Sequence, residues 1–204
     1  AQDIFLRHNV TGSLNDFLLG VKLDAGDIAV TDLEYHAIVN ICRLRCEREN
    51  RQLRTIKIPE NFNSPEELAE KISEQIDDKV RMLMISHVMT GTGLKIPLQV
   101  LADKLAKKNV VLAVDGAQGA GNHKLHLNDF KNLHFYGGNF HKWFMAPKGT
   151  GFGWVPEWFH DQVQPIQGGW TTFEQPAVFQ PFGDNHRFAQ KMLMSSCVSF
   201  PTFY

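Results

Sequence analysis

The chain has 204 residues, 43% hydrophobic and 21% charged, which is enough apolar material for a packed core and excludes disordered and fibrous classes. A formal net charge of -1, with both signs intermixed, leaves no basic stripe to neutralise a phosphate backbone, so no nucleic-acid partner is expected. No run reaches the ~18 apolar residues of a membrane span, and Cys42, Cys46 and Cys197 form neither an even disulfide framework nor a zinc spacing, so no membrane partner and a reducing, cytoplasmic address are expected.

The chain opens on Ala1 to Leu6 without an initiator methionine, so a fragment or a processed product is expected. Strand-like apolar runs then alternate with stretches of helical period. Asp27 to Thr31 reads as a strand, Tyr35 to Asn50 as a helix and Leu53 to Ile58 as a strand. Ser64 to Ile76 is a helix announced by the Ser64, Glu67 capping box with Pro65 in its first turn. Val80 to Val88 is a long strand, and Leu98 to Lys108 a helix that starts after Pro97 and stops at Asn109, a residue suited to a C-terminal cap. Val110 to Asp115 and Leu133 to Gly137 complete the apolar strands. In Gly149 to Val155, GTGFGWV, glycines alternate with larger residues, which fits a strand closely approached by its neighbours and running antiparallel. The alternation argues for βαβ units, hence an α/β domain on a parallel sheet. From Gln175 onward Pro176, Pro181 and Gly183 break any period, giving a domain over residues 1–174 and an irregular tail over 175–204.

Open parallel sheets collect ligands beyond the carboxyl ends of their strands. Three strand ends carry polar residues there: Ser86 and His87 followed by Thr90 to Gly93; Asp115 followed by Gly116, Ala117, Gln118 and Gly119; and Gly138 followed by Asn139, His141 and Lys142. Each alone has an ordinary reading, since a lone Asp after a strand is commonly a cap and a lone Lys beside Trp143 a solvated side chain. A metal site on His123, His126, His134 and His141 lacks a ligand spacing, and a dinucleotide loop on Gly116, Gly119 and Gly121 has the wrong glycine order.

Taken in order, SHVMTGTGLKIP (86–97), VDGAQGAG (114–121) and GNFHKWFMAPKGTGFGWV (138–155) resemble the class V aminotransferase family of fold-type I pyridoxal-phosphate (PLP) enzymes, which also holds cysteine desulfurases and isopenicillin N epimerases. The likeness runs from about Phe5 to about Trp170. It implies a three-layer αβα architecture with a mostly parallel central sheet and a small C-terminal domain missing. It also implies roles for individual residues. Lys142 would hold PLP covalently, Asp115 would keep the pyridine nitrogen protonated, Gln118 would donate to the ring oxygen, and His87 would stack on the ring and exchange protons. His141 and Asn139 would face the phosphate, together with Thr11 in the segment Asn9 to Asn15, which resembles the family's phosphate loop at a helix start.

Thr90 and the Asn139-x-His141-Lys142-Trp143 pattern stand closer to the isopenicillin N epimerase-like and lyase branch than to desulfurases. Cys197 is no candidate for a desulfurase nucleophile, no match appears for the family's substrate-carboxylate Arg, and Gly183 with Asp184 is the nearest match to a partner-subunit phosphate contact. The resemblance implies a homodimer whose small-molecule substrate is an amino acid, attacked at its α-carbon by an epimerase, lyase or aminotransferase type of reaction. The alternative is a truncated or non-catalytic homologue that keeps the fold as a cofactor- or partner-binding module.

Overall fold

The computed structural model describes residues 2–169, 172 and 187–192. The Gly183–Asp184 pair, Cys197 and most of the expected tail over 175–204 lie outside them. Seven strands form one sheet: β1 (Ile4–Arg7), β2 (Asp27–Thr31), β3 (Leu53–Ile56), β4 (Val80–Ser86), β5 (Val111–Asp115), β6 (Phe135–Asn139) and β7 (Gly151–Trp154), in the spatial order β1-β7-β6-β5-β4-β2-β3. From β3 across to β6 every pairing is parallel. β7 pairs antiparallel with both β6 and β1, so β1 points the same way as the parallel set and its end opens on the same edge.

Alternation along the central strands builds the layers, because successive side chains leave opposite faces of a sheet. Met82 and Met84 of β4 pack with Phe17 of α1 (Val10–Gly20) and with Ile38 and Cys42 of α2 (His36–Glu49). Leu83 and Ile85 face the other way, onto Leu68 and Ile72 of α3 (Pro65–Glu74) and Leu101 of α4 (Leu98–Ala106). The result is the αβα sandwich that the family resemblance implies, on a mostly parallel sheet in which β7, as its glycine pattern suggests, runs antiparallel. A short helix, α5 (Arg187–Lys191), returns to β1, where Phe188 meets Phe5 edge-on with ring centroids 6.1 Å apart.

Local chemistry sets the boundaries. Ser64 Oγ accepts the Glu67 N–H at 3.1 Å, and Glu67 answers by accepting the Asn63 N–H at 2.7 Å, one residue earlier than in the usual box. Asn50 and Asn109 end their helices in the left-handed region, at φ 53° and 54°. β3 stops two residues short of the expected Ile58 because Asp32 Oδ1 takes the Ile58 N–H at 3.0 Å, away from the ladder. β4 stops at Ser86, and Val88 instead bridges Lys95 across a turn in which Gly93 adopts φ 72°. β6 starts at Phe135, two residues later than the pattern suggested. β7 needs its glycines: a Cβ on Gly153 would lie 2.3 Å from the Phe5 ring, and one on Gly151 2.7 Å from the Asn9 backbone.

Candidate functional site

Five strand ends converge on one edge of the sheet. β1 leads into His8, Asn9 and α1; β2 into Glu34 and Tyr35; β4 into His87 and Thr90; β5 ends on Asp115; and β6 ends on Asn139, followed by His141 and Lys142. Between them lies a cavity of about 480 Å³, within the size range of small-molecule sites. Its lining includes Thr11, Thr90, Asp115, Asn139, His141 and Lys142 from the sequence-derived set.

Asp115 is the buried end of this cavity, 5% exposed. Its Oδ1 accepts the Ala117 N–H at 2.7 Å, and no other hydrogen bond reaches the carboxyl group among the described residues. Burial pushes its acid up to about 6, against the opposing pull of the Ala117 N–H and the Lys142 charge. A buried carboxyl group in this state is a ready partner for a cation entering the cavity. Lys142 stands exposed at the other end, in the loop after β6. Its predecessor His141 is oriented by an Nδ1–H bond to the Thr150 carbonyl at 3.0 Å, and Asn139 Oδ1 accepts the Val10 N–H at 2.8 Å, fastening the start of α1 to the end of β6.

Two residues of the set do not line the cavity. His87 is buried, its Nδ1 2.9 Å from the Tyr136 hydroxyl, and burial with the nearby Lys95 and His123 lowers it to about 4, so it is neutral at pH 7. Gly116 and Gly119 exist to admit this pair, since a Cβ on either would fall 2.1 Å from the Tyr136 ring or 2.4 Å from His87 Nδ1. Gln118 Oε1 accepts the Trp143 indole N–H at 3.0 Å, which leaves its amide NH₂ as a donor.

Three residues went unnoticed in the sequence. Tyr35, 55% exposed, and Lys148 both line the cavity. Glu34, the buried residue before Tyr35, accepts from the Ser86 N–H at 3.0 Å, the Thr31 hydroxyl at 2.8 Å and the Ser86 hydroxyl at 2.6 Å. Burial raises its acid most, the Ser86 and Thr31 bonds oppose that rise, and the Asp115 charge adds to it. Ser86 is in turn the β-sheet partner of Asp115, whose carbonyl accepts the His87 N–H at 2.8 Å. The signal was available, because the strand-end rule applied to β4, β5 and β6 also reaches the residues after Thr31. His134, one of the four histidines set aside as a metal group, uses Nδ1 to accept the Leu112 N–H at 3.1 Å and packs against Trp158 and Phe159.

The donor set as a whole fits a flat, cationic heteroaromatic ring bearing a carbonyl and an anionic arm: a buried acid for the ring cation, an exposed amine for the carbonyl, and a helix start with a hydroxyl for the anion. Comparison with known proteins agrees. The model of the aminotransferase class-V family matches residues 1–189. The chain belongs to the class-V aminotransferase family. Within it, the chain is 30% identical over 184 residues to the isopenicillin N epimerase of Streptomyces clavuligerus, covering 90% of this chain and 46% of that one. It is 26% identical over 171 residues to a probable cysteine desulfurase of Chlamydia muridarum, covering 82% and 42%. This class-V chain thus spans about half the length of the curated relatives it matches. Its fold superposes on a solved mutant of C-DES with glycine covalently linked to the PLP cofactor, at a TM-score of 0.86 and 22% identity, over 99% of this chain and 53% of that one.

Proposed function

We propose that this chain is the PLP-binding part of an enzyme that works at the α-carbon of an amino acid, with Lys142 as the point of attachment. One observation carries the reading: a buried carboxyl group, Asp115, and an exposed amine, Lys142, line the same cavity, whose size suits one cofactor. When bound, PLP supplies an electron-accepting ring that takes up the electron pair left by cleavage of a bond at the α-carbon. Asp115 holds a proton at the ring nitrogen, which keeps that ring electron-poor. The Lys142 amine, once released, moves a proton at the α-carbon. Thr11 and His141 hold the phosphate, and Tyr35 covers the ring face.

Isopenicillin N epimerases at 30% and 32% identity support the epimerase type of reaction, and cysteine desulfurases stand beside them among the curated relatives at 26% and 31%. The whole protein is proposed to be a cytosolic homodimer. Among the described residues no helix is long and apolar enough to cross a membrane. A second reading, a non-catalytic homologue, has one observation in its favour: no arginine among the described residues lines the cavity to grip a substrate carboxylate. Turnover of any amino acid that disappears in Lys142→Ala removes that second reading. The attachment itself is tested by mixing the chain with PLP, reducing with borohydride and mapping the adduct by mass spectrometry. The adduct is expected on Lys142; an adduct on Lys148, the other lysine in the lining, would overturn the assignment.

A further inference from the structure

We infer that Lys148 is a phosphate-binding residue of this site and supplies the permanent positive charge opposite the cofactor's anionic arm. The inference rests on the PLP reading above and adds a residue to it. The start of α1 offers fewer donors than a helix N-terminus usually does. The Val10 N–H is taken by Asn139 Oδ1 at 2.8 Å and the Gly12 N–H by Asn9 Oδ1 at 2.9 Å. Of the first turn, Thr11 keeps an N–H with no partner among the described residues, together with its hydroxyl.

His141 does not restore the missing charge unaided. Its Nδ1–H is spent on the Thr150 carbonyl, so in a neutral ring Nε2 is an acceptor and turns a lone pair toward any anion; it donates only as the imidazolium. Besides the histidines His8 and His141, the lining holds Asp115 at its buried end and two lysines, Lys142 and Lys148, with no arginine among the described residues. With Lys142 committed to attachment, Lys148 is the one permanent cation left in that lining. It is carried on the same loop as the Thr150 carbonyl that orients His141, and with its neighbour Gly149 it lines the cavity together with Asn9 and Thr11 at the start of α1. A phosphate dianion placed beside Thr11 would otherwise meet a nearly saturated helix end and no permanent cation in the lining.

The test compares PLP with pyridoxal, which has the same ring and carbonyl and no phosphate, by calorimetric titration of the 204-residue chain. Lys148→Met is expected to weaken PLP binding about tenfold while pyridoxal binding stays within about twofold, and Lys148→Arg to recover most of the loss. Because Lys148 is exposed, both variants should keep the wild-type circular dichroism. An unchanged ratio of PLP to pyridoxal affinity in Lys148→Met overturns the inference and leaves the cofactor reading intact. Failure of wild type to bind either ligand overturns both.

Discussion

Behind the cavity, whose buried end is Asp115, Glu34, Ser86, His87, Asp115 and Tyr136 are each at most 9% exposed and are tied together by hydrogen bonds through the ends of β4 and β5. At the open end Tyr35, Lys142 and Lys148 are exposed, and no such network binds their side chains among the described residues. The buried end sets protonation states through desolvation and fixed partners; the open end leaves its amines unspent. Substitutions at the first end should therefore register in folding, and those at the second in ligand capture alone.

The sharpest break in that contrast is expected at Lys142. Lys142→Ala should lose the borohydride-reducible PLP band completely, while its melting temperature stays within about 2 °C of wild type, as for other exposed sites. Glu34→Ala should do the reverse, costing about 3 kcal/mol in urea unfolding because the Ser86 N–H and two hydroxyls lose their acceptor in a buried place. A cost below about 0.5 kcal/mol would show that water replaces the carboxylate and that the buried end is not sealed.

Asp115 couples the two ends. Its acid is raised from 3.8 to about 6 on folding, so the folded chain holds the proton more tightly, and stability present below pH 4 is lost as pH rises toward and past 6. Asp115→Asn should thus stabilise the cofactor-free chain on the order of 1–3 kcal/mol at pH 8, with the gain vanishing below about pH 4, and should weaken PLP binding at the same time. A thermal melt of both proteins across pH 4 to 8 checks the sign. Smallest of all, Tyr35→Ala should change stability by less than about 0.5 kcal/mol yet weaken PLP capture a few-fold, measured by absorbance titration.

What could be read from the sequence follows from where the signal was dense. Val80 to Ser86 and Val111 to Asp115 lie in the middle of the sheet, buried on both faces, and so appear as continuous apolar runs. β1 has four residues, alternates exposed and buried and lies at the sheet edge; its pattern is too short to stand out. Asp115 and Lys142 were legible because strand and turn punctuate them. Glu34 lay within reach of the same strand-end rule, although its bond to Ser86, 52 positions away, could not be read locally; Lys148 was not legible, because nothing local distinguishes it from a solvated lysine. His87 looked like a ligand-facing residue by position, yet its ring is turned to Tyr136, a direction that side-chain packing alone decides.

Crystals of the chain grown with PLP test the central claim most directly. Electron density continuous from Lys142 Nζ into the ring, with an Asp115 oxygen within hydrogen-bonding distance of the ring nitrogen, is the expected result. Density joined to another lysine, or a ring whose nitrogen faces away from Asp115, would contradict it.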